Sequence, residues 1–218
     1  KMPSAKGNKV QLNLKNVHYA VLTADTGTPT WSTPVPVPGA VNLNLSANGE
    51  MTPFYADGIV YYTSSANNGY EGDLEMARFI DQMLQDVWGY ELETTDKVLI
   101  EKADVNPKQF ALLFQIEGDA NNDLYCMYNC TGTRPAIVGA TSTESKTPQT
   151  QTSTISATPL ASNNYVYART TADSPENVKT NWFKNVYVPG GAELSVAQTE
   201  NAAAGGAGFF YWSRHHQY

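Results

Sequence analysis

The residue types that most often carry catalysis or bind metals are scarce in this sequence. Its 218 residues include three histidines and two cysteines. His215 and His216 are adjacent, so in an extended chain their side chains point in opposite directions and chelate poorly. A nucleophilic dyad or triad, or a hydrolase cleft, would therefore have to use His18. A lone histidine in a strand is more often a core residue, and we predict no catalytic residues and no enzyme activity.

The two cysteines, Cys126 and Cys130, lie in DLYCMYNCTG. In a strand, residues four apart share a face and lie roughly 13 Å from each other, at about 3.3 Å per residue. A disulfide requires Cα atoms within about 7 Å, and a zinc site requires further ligands at other spacings. The sequence therefore predicts two buried free thiols, no metal and no cofactor.

Several acidic groups have spacings that resemble functional sites. Three residues match the first ligand positions of a calcium-binding loop: Asp119, Asn121 and Asp123. Leu124 stands where that loop requires glycine, so a hairpin turn explains the segment better. Two carboxylate pairs could serve a hydrolase: Asp73 with Glu75, and Glu91 with Glu93. Without a predicted cleft, we interpret both pairs as the polar faces of strands.

Composition and charge exclude further classes of function. Hydrophobic residues make up 41% of the chain, so its body is not expected to be disordered. The net charge of −7 leaves no surplus of cations to hold a phosphate backbone, although such a chain could stand beside nucleic acid without binding it. No apolar run is long enough to span a membrane. The first residues, KMPSAKGNKVQL, do not resemble a signal peptide, so we expect a cytoplasm-like compartment.

Alternating apolar and polar residues between turn signals predict a mainly β chain. The predicted strands are Lys9–Ala24, the segment from Val41, IVYYTSS, DLEMARF, a hairpin from Phe110 to Cys130, Gln149–Thr158 and NYVYARTT. FIDQMLQDVWGYEL has helical spacing and predicts one flanking amphipathic helix that Gly89 ends. Ser174 before Pro175 marks the start of a second helical stripe. This pattern favours a β-sandwich or barrel.

The character of the chain changes after Pro189. Gly190–Tyr218 is rich in glycine and alanine and carries an aromatic tip, FFYW. We therefore predict one β domain over residues 1–189. Residues 190–218 are predicted to be an extension that docks through its aromatic tip.

The stretch from Pro53 to Ala77, PFYADGIVYYTSSANNGYEGDLEMA, is aromatic and chemically inert. Its turn signals predict a long hairpin arm. An isolated hairpin is marginally stable in water, and tyrosine-rich surfaces are frequent interface anchors. We therefore favour self-assembly through the arm, and the alternative is an arm folded back on its own barrel. The predicted contact residues are Phe54, Tyr55, Tyr61, Tyr62 and Tyr70.

Several segments together resemble the major tail tube proteins of long-tailed, non-contractile phages, in the branch found among phages of Gram-positive hosts. In order, they are LKNVHYAVLT, VPGAVNLNLSANGEMTPFYADGIVYY, NNGYEGDLEMA, NPKQFALLFQIEGD, YNCTGTRP, TPQTQTSTISATP and NWFKNVY. The resemblance covers the chain from Lys9 to Pro189 and rests on many weak segments in the right order. Gly190–Tyr218 departs from the family pattern.

The resemblance implies a tail-tube fold, a β-sandwich or barrel with a flanking helix and a stacking hairpin arm. Such subunits close a hexameric ring, the rings stack into a hollow tube, and the inner sheets of neighbours join into one barrel. The arm, Pro53–Tyr70, would contact the next ring. The implied partners are further copies of the chain, the tape measure protein, the tail terminator, the distal tail proteins and double-stranded DNA in passage. The implied location is the virion tail, assembled in the host cytoplasm.

Within such a tube, the acidic charge has a physical role. DNA carries one negative charge per ~1.7 Å of its axis, so a cationic channel would hold it and an acidic channel would let it slide. The predicted lumen residues are Asp73, Glu75, Gln115 and Glu117. The alternative is that they face the outer solvent. A second function also stays open, a tail-associated or host-surface carbohydrate-binding β-sandwich, which would remain a small oligomer with a ligand pocket.

Overall fold

A computed structural model describes residues 7–141 and 148–190 of the chain. The chain divides into two units, Lys1–Tyr187 and Val188–Tyr218, and all of the described strands and helices belong to the first unit. The predicted extension lies outside the described residues beyond Gly190, as do His215 and His216. Within the described ranges the fold is mainly β, which confirms the predicted class.

Thirteen strands and two helices form the described part of the chain. The strands are β1 (Gln11–Ala24), β2 (Thr30–Trp31), β3 (Val35–Pro36), β4 (Ala40–Ala47), β5 (Met51–Ala56), β6 (Ile59–Ser65), β7 (Tyr70–Met76), β8 (Glu91–Leu92), β9 (Leu99–Ile100), β10 (Phe110–Gly118), β11 (Asn122–Gly132), β12 (Gln151–Ala157) and β13 (Tyr167–Arg169). The helices are α1 (Asp81–Trp88) and α2 (Glu176–Asn181).

Nine of these strands form one antiparallel sheet in the order β2-β1-β10-β11-β12-β7-β4, with β13 added to β11 and β3 added to β1. Among the described strands, β5 and β6 pair only with each other, and so do β8 and β9. Every pairing is antiparallel, so neighbouring strands run in opposite directions and a short turn can join them at one end of the sheet.

One apolar core contains side chains from strands near both ends of the sheet order. Tyr19 of β1 and Leu74 and Met76 of β7 are fully buried in it, and Leu43 of β4 packs against it. The sheet must therefore curve around this core, which gives a sandwich-like fold. Helix α1 closes the core with Met83, Val87 and Trp88.

A second apolar cluster covers the opposite face of β10 and β11. It contains Leu113 of β10, Tyr128 of β11 and Trp182, which directly follows α2. The indole of Trp182 donates a hydrogen bond to the Tyr125 carbonyl at 3.2 Å and so fixes the α2 segment on the sheet. In consequence β10 and β11 are covered on both faces, whereas the outer residues of β12, β7 and β4 stay open.

The two helices agree with the sequence pattern to different degrees. Gly89 ends α1 in the left-handed conformation at φ 69°, as predicted, and its N–H bonds to the Gln85 carbonyl. The predicted cap of α2 is wrong, because Ser174 Oγ accepts a bond from the Thr171 N–H and α2 begins at Glu176. Helix α2 lies within the second helical stripe that the sequence pattern indicated.

Both cysteines are buried and free, which confirms the thiol prediction. They do not share a face, however, because Cys130 lies in the first core and Cys126 in the second cluster. The register explains this difference, since Phe110 pairs with Cys130 but Leu112 pairs with Met127. The extra residue in β11 is a bulge that reverses the alternation of side chains.

We expect neither thiol to react in the folded protein. Burial raises the pKa of Cys130 to about 12 and raises that of Cys126 well above its usual range. At pH 8 the thiolate fraction should fall by about 10³ relative to an ordinary cysteine. A colorimetric thiol assay should therefore detect no fast thiol in native protein and two in denaturant. The variant Thr154→Cys, at an exposed position, serves as the reactive control, and a native thiol reacting at its rate would contradict the burial.

Candidate functional site

The hairpin β5–β6, which we call the arm (Met51–Ser65), leaves the body of the protein as a two-stranded ribbon. Its tip is a two-residue loop in which Asp57 has φ 52° and Gly58 has φ 79°. Positive φ at both central positions is the geometry of a type I′ turn, whose twist matches that of the flanking strands. The sequence ADG therefore determines where the arm turns.

The arm exposes apolar side chains on both of its faces. Phe54 pairs with Tyr62 across the ribbon and, after a register shift, Tyr55 pairs with Val60. Because successive strand residues point to opposite faces, these two pairs lie on different faces. Phe54 is 61% exposed and Tyr62 64% exposed, and Tyr61 reaches 72%. The alternative in which the arm folds back on its own barrel is wrong.

The arm is a continuation of the β4–β7 ribbon rather than a loose loop. The Asn48 N–H donates to the Gly69 carbonyl, and the Asn68 N–H donates to the Asn48 carbonyl, both at 2.8 Å. The Ala66 N–H then donates to the Glu50 carbonyl at 3.0 Å, which carries the pairing into the arm. These bonds hold the direction of the arm, so its exposed rings are presented in a defined place.

Tyr70 lies outside the β5–β6 hairpin, so it is not one of the exposed rings of the arm. It is the first residue of β7 and pairs with Ala47 of β4 and Ala157 of β12. Its ring is half-buried and meets Tyr167 edge-to-face at 5.6 Å between centroids. The arm ends at Ser65, before the turn sequence ANNG (residues 66–69). The aromatic composition alone had suggested that it continued to Tyr70.

A polar face lies on β4, β7 and β12, on the side away from the first core. Glu71, Asp73 and Glu75 alternate with the inward residues of β7, and consecutive carboxylates are about 7 Å apart along the strand. The residues paired with them are uncharged: Asn42, Asn44 and Ser46 on β4, and Thr152, Thr154 and Ser156 on β12. The three strands contain no lysine or arginine.

Two of the three carboxylates of this polar face accept hydrogen bonds from neighbouring hydroxyl groups. Thr154 Oγ1 donates to Asp73 Oδ1 at 2.8 Å, and Thr150 Oγ1 donates to Glu75. These bonds orient the carboxylates without neutralising them. The face therefore presents a fixed row of negative charge in a layer of amide and hydroxyl groups.

The other two predicted lumen residues do not join this row. Gln115 is buried, and its side-chain oxygen accepts a bond from Asn16 Nδ2 at 2.8 Å, so its prediction as a lumen residue is wrong. Glu117 is partly exposed, and the Lys15 ammonium at 2.7 Å holds the pKa of its carboxyl below the usual range. Two strands, β11 and β12, separate β10 from β7 in the sheet.

A cleft of about 280 Å³ opens at the end of the core from which the arm leaves. Phe114 and Tyr125 stack there at 5.1 Å between centroids, and Tyr70 and Tyr167 form the opposite wall. Arg169 lies over the Tyr125 ring at 5.9 Å. The sequence pattern did not predict this cleft, because it forms only where the curvature of the sheet brings β13 beside β7.

The remaining candidates for chemistry have structural roles. His18 is half-buried, stacks on Phe183 at 4.6 Å, and burial lowers the pKa of its imidazole. Asp119 accepts a bond from the Lys9 N–H beside the β10–β11 turn, as expected of a hairpin. Over residues 7–141 and 148–190, no group of three acidic, histidine or cysteine side chains could hold a metal ion. Neither described helix has the length and apolar composition needed to cross a bilayer.

Comparisons with known proteins add no relative. No family profile, no curated protein and no solved structure matches this chain.

Proposed function

We propose that this chain is the structural subunit of a phage tail tube. In this proposal, subunits assemble into hexameric rings, and the rings stack into a channel that houses the tape measure protein and conducts DNA. The tail terminator and the distal tail proteins would bind the two ends of the tube. The observation that carries the proposal is the arm, a paired hairpin with aromatic and aliphatic side chains exposed on both faces.

Energetics support an assembled state for the arm. Fully burying a large apolar side chain stabilises a protein by about 1.5–3 kcal/mol. A two-stranded hairpin alone is at best marginally stable in water. An arm without a partner lacks the stabilisation that burial of its side chains would give. A contiguous group of exposed apolar side chains, such as that of the arm, marks an interaction site. A second copy of the chain is the simplest partner, because no other molecule is then needed.

Free strand edges also support assembly. Among the described strands, β4 ends the order of the large sheet, and its outer edge has no strand partner. The first part of β1, Gln11–Asn16, pairs with β10 on one side, and β2 and β3 bond only farther along the strand. Unpaired edges of this kind are templates for pairing with another chain.

Negative-stain electron microscopy of the purified protein over a range of concentrations tests the proposal. We expect rings or filaments that become longer and more numerous as the protein concentration rises. Light scattering should report the same threshold concentration. A protein that stays monomeric at every concentration would contradict the proposal.

The aromatic cleft favours a second candidate function, the carbohydrate-binding module. Sugar rings stack on aromatic side chains, and the rings of Tyr70, Tyr125 and Tyr167 line the cleft. Ligand pockets are usually about 300–1,000 Å³, so the cleft of about 280 Å³ would take one small sugar. This candidate predicts saturable binding of a monosaccharide that Tyr167→Ala abolishes, in a protein that forms no filaments.

A further inference from the structure

The largest exposed apolar side chains concentrate in two groups. The first is the arm: Met51, Phe54, Tyr55, Ile59, Val60, Tyr61 and Tyr62. The second, which we call the basal patch, consists of Leu92, Val98, Ile100, Val105, Ile137 and Val138. Ile137 is 97% exposed, the most of any of these residues.

The two groups lie at opposite ends of the sheet. The arm connects β4 to β7 at the end where Ala47 pairs with Tyr70. Two segments carry the basal patch, and both connect strands at the end of the sheet opposite to the arm. One links Met76 of β7, through α1 and β8–β9, to Phe110 of β10, and the other links Gly132 of β11 to Gln151 of β12.

Direct contacts join the two segments of the basal patch. Arg134 forms an ion pair with Glu101, which directly follows β9. The Tyr90 hydroxyl donates to the same carboxylate at 2.8 Å. Next to Ile137, the Ala136 N–H donates to the Thr152 carbonyl at 3.2 Å. These bonds hold residues 134–136 and the segment around β9 near the same end of the sheet.

An arm and a patch at opposite ends of one protomer cannot cover each other. A head-to-tail contact between two copies covers both, and it leaves one free arm and one free patch at the ends of the assembly. Each aromatic side chain can bury about 150–250 Å². The four rings of the arm therefore supply a large share of the ~800 Å² per partner that a stable interface buries.

We propose that the basal patch of one copy is the docking surface for the arm of the next copy. This inference rests on the proposed function and adds the receiving surface, which defines the polarity of stacking. Contact between these two unlike surfaces makes growth open-ended and directional.

Disulfide trapping between two variants tests the docking surface. Tyr61→Cys and Ile137→Cys are purified separately, mixed under assembly conditions and oxidised. Cross-linking requires Cα atoms within about 7 Å, so a dimer linking the two variants reports direct apposition. The matched control replaces Ile137→Cys with Thr154→Cys, which places the thiol on the polar face. The native cysteines are buried and do not compete.

We expect at least about tenfold more linked dimer with Ile137→Cys than with Thr154→Cys. Ile137→Asp should also raise the protein concentration needed for assembly at least about tenfold, whereas Val10→Asp, at another exposed apolar position, should not. Filaments that form while Tyr61→Cys links no better to Ile137→Cys than to the control would overturn the docking surface and leave the proposed function intact. Absence of both filaments and linkage from every mixture would overturn both.

Discussion

Replacing Phe54 and Tyr62 with serine is expected to abolish filament formation at concentrations where the wild-type protein assembles fully. The two rings pair on one face of the arm and are 61% and 64% exposed in the protomer. If each is buried on assembly, the interface loses about 3–6 kcal/mol. Since about 1.4 kcal/mol corresponds to a tenfold change in affinity, the threshold concentration should rise by at least about 100-fold. Light scattering against concentration measures the threshold.

The same double variant should fold normally. Its side chains lie in neither apolar cluster, and exposed substitutions usually change the free energy of unfolding by no more than about 0.5 kcal/mol. Tyr62→Phe keeps the ring and should assemble like the wild type, and Val10→Ser controls for the loss of an exposed apolar side chain elsewhere. A double variant that still forms filaments at the wild-type threshold would remove the arm from the interface.

Under the proposed function, charge reversal of Asp73→Lys together with Glu75→Lys is expected to leave tubes intact but to slow DNA release from virions by at least about tenfold. Both residues belong to the polar face, where substitution disturbs no apolar packing. Each subunit would contribute two new cations to the channel, and the effect repeats in every copy. DNA release triggered in vitro and followed with an intercalating dye measures the rate.

The dependence of the release rate on salt concentration tests whether charge causes the slowing. Contacts between cations and phosphates weaken steeply as ionic strength rises, so the slowed release should recover towards the wild-type rate in higher salt. Asp173→Lys with Glu176→Lys is the matched control, because it reverses two exposed acids at α2, away from both the polar face and the basal patch. Release from the Asp73 and Glu75 variant at the wild-type rate in low salt would place the polar face outside the channel.

Local pattern was sufficient to predict most of the secondary structure. The alternation of Leu74 and Met76 with Asp73 and Glu75 predicted the two faces of β7, since side chains along a strand point alternately to either side. The ADG sequence predicted the turn of the arm, because only a few residue types adopt positive φ without strain. Both features are decided within a few neighbouring residues.

Features that depend on partners distant in the sequence could not be predicted in this way. Gln115 has the alternation of a solvent-facing residue, yet Asn16 of another strand and the layer over β10 bury it. Cys126 and Cys130 lie on opposite faces because a bulge, visible only in the pairing with β10, inserts one residue. The end of the arm was also misplaced, because Tyr70 pairs with β4 and β12 instead of following the aromatic stretch.

By itself, the sequence determined most of the strands and the aromatic arm, since these follow from residue type, backbone preference and short-range spacing. Only the tertiary structure decided that the described residues of the same protomer leave the arm uncovered. It alone also placed the acids of β7 in an open polar row and gathered the basal patch at the far end of the sheet. The physical reason is that exposure and apposition depend on sheet order and curvature, which arise from contacts between residues far apart in the chain.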